Sequence, residues 1–391
     1  MQQYFFQLGN TPELSLAELQ VVLPGTIFSQ VHPDLASAKL DDNVDVASLM
    51  EKLGGTVKII KVLANKEGTA KENLEAVLAQ VLADTHPQEG KIHFALAELG
   101  RDHLPMLDPT DVKRALVEMG YGARFVEGSR HGLSASVLLH SQRVRELYVI
   151  QTSEKIFLGE TAAVQNIDEW SRRDRSKPYA DRKKGMLPPK VARMMVNMGL
   201  GMLQREQQTQ IPLLLDPFCG SGTIAMEALL SDCDVIAGDL DSDAVHGTRQ
   251  NLDWLNTVQP FDGTYAVVHQ DATLIKIPKD RKVNLLVTEP FLGKPRPNPA
   301  KLPFIFKGLE KLYLGAFKHW TKILNPGAAV VIVFPVVETN NNGKQIRYDL
   351  RKLIDKISHL GYTTHSEPIL YHRPQAVVQR EIHAFIFQPG K

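Results

Sequence analysis

Cysteine is nearly absent from this sequence of 391 residues: Cys219 and Cys233 are too few for a disulfide framework and lack the spaced Cys/His sets of a zinc site. Both read as free thiols. Long hydrophobic runs are missing as well, since the longest apolar stretches are strand-sized, which argues against a membrane span. The N-terminus, MQQYFFQLG, has no basic region, apolar stretch or small-residue cleavage site, so no export signal is read and a cytoplasmic location is expected. An excess of charge of one sign is lacking too. Lys and Arg number 45 against 44 Asp and Glu, a formal net charge of +1, which excludes a globally basic nucleic-acid binder but not a local basic surface. The 13 histidines show no metal-ligand spacing, and no metal is expected.

What is present is an ordinary soluble composition, 43% hydrophobic and 23% charged, on a chain long enough for two or three domains. The first ninety residues mix short β-type runs, Tyr4 to Leu8 and Thr56 to Leu63, with helical patterns at Ser15 to Leu23 and Ala70 to Ala83. Ser15 and Glu18 have the spacing of a capping box. Residues Lys91 to Ile150 predict a second α+β unit, with strands at 92–96, 123–127, 134–139 and 146–151 and a helix opening at Asp108-Pro109-Thr110. Charges then cluster and prolines interrupt the pattern, placing a boundary within 160–188. Arg172, Arg173, Arg175, Lys177, Arg182, Lys183 and Lys184 stand there against Asp174 and Asp181 alone, a stretch suited either to phosphates or to a solvated linker. The Met194, Met195 and Met198 set reads as core packing.

From Pro189 onward strands and helices alternate. Helices are predicted at 190–203, 222–231, 242–255, 303–323 and 345–360, and strands at 213–216, 234–238, 265–269, 283–287, 328–334, 366–371 and 381–387. Such alternation predicts an α/β domain with a mainly parallel, doubly wound sheet whose ligand lies at the carboxyl edge. The strongest local signal is Leu213 to Thr223, an apolar strand running through Asp216-Pro217-Phe218-Cys219 into Gly220-Ser221-Gly222 and a helix. Its glycines permit a sharp turn and close ligand approach. Thr223 stands where a phosphate loop would carry lysine, and the third glycine of a dinucleotide fingerprint is missing. Three acids then close successive strands. Asp216 can hold a cationic amino group, Asp239 can accept from ribose hydroxyls, and Asp271 can accept from an adenine amine.

The run Asp216 to Thr223 resembles motif I of the THUMP-domain tRNA guanosine-N2 methyltransferases, and Gly185-Met186-Leu187-Pro188-Pro189-Lys190-Val191-Ala192-Arg193 resembles the segment that precedes it. The likeness extends upstream through Leu158 to Ser171 and downstream to His372-Arg373-Pro374 and Arg380-Glu381-Ile382. It implies a ferredoxin-like domain over residues 1–65, a THUMP domain gripping tRNA over 66–155, a linker over 156–184 and a Rossmann-like methyltransferase domain over 185–391. The implied cofactor is S-adenosylmethionine, held by Asp216, Phe218, Gly220, Gly222, Thr223, Asp239, Asp271 and Ala272. The implied RNA contacts are Arg172, Arg173, Arg175, Lys183 and Lys184.

That family usually carries Asp-Pro-Pro-aromatic after the fourth strand, whereas this chain has Glu289-Pro290-Phe291-Leu292-Gly293. A guanine amine is a poor nucleophile and must be held in line with the methyl group. Glu289 and Pro290 would hold the amine and Phe291 would stack on an extruded base. Position 10 of tRNA is the target the resemblance implies; an adenine amino group is the alternative target, and a tRNA-binding homologue without activity is the alternative to an enzyme. Lys294, Arg296 and Lys301 follow in a proline-rich loop that can touch the RNA backbone or stay solvated.

Overall fold

The structure is a computed structural model that describes residues 1–67, 74–84, 90–100, 107–141, 143–181, 185–203, 211–279, 281–341, 344–371 and 375–389. The chain divides into two units, residues 1–16 with 25–169, and residues 17–24 with 170–391.

The first unit contains β1 (Gln2–Leu8), the start of α1 (Pro12–Val22), β2 (Ser29–His32), β3 (Leu35–Leu40), α2 (Val46–Lys52) and β4 (Thr56–Glu67). It continues with α3 (Leu74–Asp84), β5 (Ile92–Gly100), α4 (Pro109–Glu118), β6 (Ala123–Phe125), α5 (Ala135–His140), β7 (Val144–Gln151), β8 (Lys155–Val164) and the start of α6 (Ile167–Arg175). Among its described residues, eight strands form a single sheet in the order β2-β3-β1-β4-β8-β7-β5-β6. Residues expected to begin a linker at 156 are therefore interior: β8 pairs antiparallel with β4 and with β7, and Ile156 and Leu158 are buried. Gly159 permits that pairing, because a Cβ there would stand 2.7 Å from Ile60 Cγ2. Leu78 and Leu82 of α3 and Val112 and Leu116 of α4 share one apolar core with Phe94 of β5 and Leu147 of β7. The predicted strand at 134–139 is the helix α5, because the Ser134 side chain accepts from Val137 N at 3.3 Å and caps it. The helix expected from Ser15 starts at Pro12, and Ser15 Oγ bonds back to Thr11 O at 2.9 Å, so the Ser15–Glu18 spacing is not a capping box.

A buried ion pair crosses this sheet. Lys58 Nζ lies 2.9 Å from both oxygens of Glu146, and donates also to Leu133 O and Tyr148 Oη at 2.8 Å. Glu146 in turn accepts from Leu133 N, Tyr148 Oη and Thr161 Oγ1 at 2.5 to 2.6 Å. Burial holds the Lys58 ammonium below its ordinary range although Glu146 opposes the shift.

The second unit contains α7 (Pro189–Met202), β9 (Leu213–Asp216), α8 (Thr223–Leu229), β10 (Asp234–Asp239), α9 (Ser242–Val258), β11 (Tyr265–His269), β12 (Val283–Thr288) and α10 (Leu302–Trp320). After these come β13 (Leu324–Asn341), β14 (Lys344–Tyr348), α11 (Arg351–Ser358), β15 (Tyr362–Thr364), β16 (Ile369–Tyr371) and β17 (Val378–Phe387). The sheet runs β11-β10-β9-β12-β13-β17-β15, with β14 added to β13 and β16 to β17. The first five of these strands are mutually parallel, as the alternation predicted, but β14, β15, β16 and β17 are joined by antiparallel pairings, so the sheet is mixed where a mainly parallel one was expected. Helix was expected from 345. Residues 344–348 instead pair with β13, because Ile346 and Tyr348 alternate with Gln345 and Arg347 at the strand period of two.

The core of this unit gathers on α10. Phe317 packs against Trp320, Tyr362, Phe334 and Phe385 with ring centroids 4.8 to 6.4 Å apart, so helix and sheet share one aromatic cluster. Met194, Met195 and Met198 of α7 are buried, as their helical spacing predicted. The parallel order β10-β9-β12 brings the carboxyl ends Asp239, Asp216 and Thr288 side by side. That edge is where an open sheet of this kind binds ligands.

Candidate active site

A cavity of about 430 Å³ opens at this edge, within the range of small-molecule sites. Asp216, Phe218, Gly220, Ser221, Thr223 and Asp239 line one part of it, and Glu289, Pro290, Phe291 and Arg380 line another. The turn after β9 explains the first part. Gly220 and Gly222 adopt φ of +53° and +76°, values that favour glycine, and they bend the chain from strand into α8. They differ in purpose: a Cβ on Gly220 would meet nothing within 4 Å, while one on Gly222 would stand 2.8 Å from Thr248 Cγ2. Gly220 therefore faces open space, and Gly222, which does not line the cavity, lets the turn pack against α9.

The acids are not equivalent. Asp216 is fully buried, and desolvation pushes its carboxyl up to about 7 against the opposing bonds from Thr288 Oγ1 at 2.7 Å and Phe218 N at 3.3 Å. Asp239 and Glu289 add to that rise as neighbouring negative charges. Asp239 accepts from Gly220 N and Asp241 N, each at 2.9 Å, so it fixes the glycine turn as well as facing the cavity. Asp271 and Ala272 do not line this cavity. Asp271 Oδ1 is taken by Thr273 N and Oγ1 at 2.8 Å, and Ala272 is buried with its carbonyl bound by Trp320 Nε1. A strand-end acid that closes a local turn looks the same in sequence as one that meets a ligand.

Four residues help build the site beyond the cofactor and base contacts expected from the sequence. Lys177 is buried, with Nζ 3.3 Å from Ser221 Oγ and 3.0 Å from Thr223 Oγ1, and burial brings its ammonium down to about 8. Asn251 of α9 donates to Ser221 O and Tyr179 O and accepts from Tyr179 N, tying the segment before α7 to the glycine turn. Tyr179 itself lines the cavity.

Arg380 is the fourth. It projects from β17, and its Nε donates to Glu289 Oε1 at 2.5 Å. Phe291 next along is exposed at 60%, with its carbonyl held by Tyr313 Oη at 2.7 Å, so the ring stands outward while its backbone is fixed to α10. The basic stretch upstream divides sharply. Arg172 and Arg175 are exposed, whereas Arg173 is buried, stacks on Trp170 and bonds Glu227, which also pairs with Arg193. Arg173 is thus a structural ion-pair member and not an RNA contact; Lys183 and Lys184 lie outside the described residues.

The strand-turn-helix edge with its acids coincides with a family signature: residues 180–334 match the family described as RMKL-like, methyltransferase domain. The match covers the strand-turn-helix edge and the Glu289-Pro290-Phe291 segment of the second unit. A protein of Methanothermobacter thermautotrophicus named tRNA (guanine(10)-N2)-dimethyltransferase is 26% identical over 290 residues, 68% of this chain and 77% of the relative. One of the same name from Pyrococcus abyssi is 30% identical over 184 residues, 45% of this chain and 52% of that protein. Among solved structures, TrmN from Thermus thermophilus superposes with a TM-score of 0.56 at 17% identity, covering 99% of this chain and 100% of that one. A possible methylase from Clostridium difficile 630 gives 0.53 at 12% identity, covering 100% and 98%. At these identities the two structures show the fold alone.

In the methyltransferase domain the two linings of the cavity divide the chemistry. The glycine turn with Asp216 and Asp239 offers carboxylates and open backbone to a cationic nucleoside. Glu289, Pro290 and Phe291 offer a carboxylate, a carbonyl and an exposed ring to a flat nitrogen base. Among the described residues no group of His, Cys, Asp and Glu could hold a metal ion, and no helix is long and apolar enough to cross a membrane.

Proposed function

We propose that this chain is an S-adenosylmethionine-dependent tRNA methyltransferase that modifies the N2 amine of guanosine, at position 10 as the named relatives do. The observation that carries the proposal is one cavity lined both by Asp216, Gly220 and Asp239 and by Glu289, Pro290 and Phe291. The residues present fit a sulfonium nucleoside: Gly220 leaves space a side chain would fill, and the buried Asp216 carboxyl gains a cation to offset its desolvation. Asp239 retains acceptor capacity for ribose hydroxyls, since a carboxylate has about four lone-pair sites and two backbone N–H bonds use half of them.

S-adenosylmethionine, held by the glycine turn with Asp216 and Asp239, would supply an electrophilic methyl group to the amine. The chain's part is placement. Glu289 accepts a hydrogen bond from the amine and sets the direction of its lone pair, and the exposed Phe291 ring stacks on the base. Asp216 and Asp239 hold the other reactant. The proposal also assigns residues 1–65 to a ferredoxin-like domain and 66–155 to a THUMP domain that grips cytoplasmic tRNA, and the α+β sheet of the first unit is compatible with both. Exposed Arg172, Arg175, Arg296 and Lys301, with Lys294 in the cavity wall, supply phosphate contacts.

The test is nucleoside analysis of unmodified tRNA incubated with the protein and labelled cofactor. Label in N2-methylguanosine supports the proposal, label in N6-methyladenosine replaces its substrate, and tRNA binding without label replaces enzyme with binding protein.

A further inference from the structure

Glutamate is a demanding choice for an acceptor that must hold a weak nucleophile in line, because its side chain has three rotatable bonds and loses much freedom when fixed. The structure contains a device that fixes it. Glu289 follows the end of β12, and Arg380 reaches it from β17, on the far side of the intervening strand β13. Arg380 is itself held: its backbone pairs with Pro335 of β13 on one side and Tyr371 of β16 on the other, and its side chain is 9% exposed. Both ends of the pair line the cavity. Charged and titratable groups surround it from several elements. Asp216 comes from β9 and Asp239 from β10, Tyr313 from α10 feels the Glu289 charge, and Lys294 lines the cavity from the loop after Phe291.

We infer that Arg380 is a positioning residue for methyl transfer, clamping the Glu289 carboxylate in its charged, acceptor-only form at the place where the amine must sit. The inference rests on the proposed function. A bond from a buried guanidinium restricts the glutamate, and its positive charge lies against the negative charge that Asp216 and Glu289 bring to one cavity. A protonated carboxyl would turn a donor toward an amine that needs an acceptor. One consequence is specific to this pairing. Glu289→Asp keeps the charge but retracts the carboxylate by one methylene, so it loses Arg380 and works worse than the wild type.

The experiment compares wild type, Arg380→Met, Arg380→Lys and Glu289→Asp. For each, methyl transfer from radiolabelled S-adenosylmethionine to unmodified tRNA is measured across pH, together with cofactor affinity by calorimetry. Infrared spectra of the protein without cofactor report protonated carboxyl groups independently of activity. Arg380→Met is expected to lower kcat about 100-fold with KM for tRNA and cofactor affinity within about 3-fold, on the scale of losing one oriented active-site group. Its acid limb moves to higher pH, and a protonated-carboxyl band appears that a further Glu289→Gln change removes. Arg380→Lys restores at least 10-fold, and Glu289→Asp loses about 10-fold. Wild-type kcat and pH profile in Arg380→Met would overturn the inference. So would loss of kcat and cofactor affinity together, with no rescue by lysine and no new band, because that is the signature of structural damage alone. A wild type that transfers no methyl to any RNA refutes the proposed function instead, and with it the role given to Arg380.

Discussion

Two regions of this molecule bury charge, and they do it in opposite ways. In the first unit Lys58 and Glu146 meet among three further partners, Leu133, Tyr148 and Thr161 supplying bonds at 2.5 to 2.8 Å, so each charge is compensated where it lies. At the carboxyl edge of the second unit Asp216, Asp239 and Glu289 bring like charges to one cavity, and Asp216 is pushed up to about 7. The first arrangement holds a sheet together. The second stores unfavourable desolvation that a cationic ligand relieves, which is why perturbed acids beside a cavity point to function and a satisfied pair does not.

The contrast is open to breakage by mutation. The largest effect on stability is expected from Glu146→Ala, which strands the Lys58 ammonium inside the first unit and costs about 3–5 kcal/mol by chemical denaturation. Stability within 1 kcal/mol of wild type would mean the pair is not the compensated charge described. At the other region Glu289→Ala is expected to lower methyl transfer by about 10²–10³ with a melting temperature near that of wild type, a loss of function without loss of fold. An equal loss in both quantities would erase the distinction between the two regions.

Asp216→Asn sharpens the comparison because stability and function should move in opposite directions. An acid whose folded value lies near 7 and whose unfolded value is 3.8 costs nothing below about pH 4. Between about pH 4 and 7 the folded chain keeps a proton the unfolded chain has lost, so stability falls as pH rises through that window and is level above it. The asparagine variant escapes this fall and should exceed wild type at pH 8 by up to about 4 kcal/mol, while binding S-adenosylmethionine at least 10-fold more weakly. In the wild type, cofactor binding should strengthen from pH 5.5 to about 7 and release up to about one proton, measurable by calorimetry in buffers of different ionisation enthalpy. Affinity independent of pH would show that Asp216 does not meet the cationic group.

The smallest effects belong to the basic stretch. Arg172→Ala and Arg175→Ala should each leave stability unchanged and reduce the salt dependence of tRNA binding by about one phosphate contact. Arg173→Met should instead act on stability, since Arg173 bonds Glu227 at 2.8 Å inside the second unit. Identical behaviour of all three would contradict the division of this segment into exposed and buried arginines.

What could be read from the sequence was what neighbours decide. The strand Leu213–Asp216, its glycine turn and the helix from Thr223 are punctuated locally, and they stand as expected. Asp271 does not line the cavity, and its Oδ1 instead accepts from Thr273 N and Oγ1 two residues away. Arg173 was misassigned as part of a charge run, although Trp170 and Arg173 are three apart and share the inward face of α6. Arg380 lay beyond local reading altogether: 91 residues separate it from Glu289, and only the pairing of β17 with β13 brings them together. The strand β8 reads as the start of a linker in sequence because its partners β4 and β7 decide its place, not its own composition.

One cavity must serve both the sulfonium nucleoside and the base. The direct measurement is labelled methyl transfer to unmodified tRNA by wild type and by Glu289→Ala, with S-adenosylmethionine affinity determined for both. Label in N2-methylguanosine with the wild type, its loss in the variant, and cofactor affinities within about 3-fold of each other are the predicted results. Full transfer by the variant, or tight cofactor binding by a wild type that methylates no RNA, would contradict it.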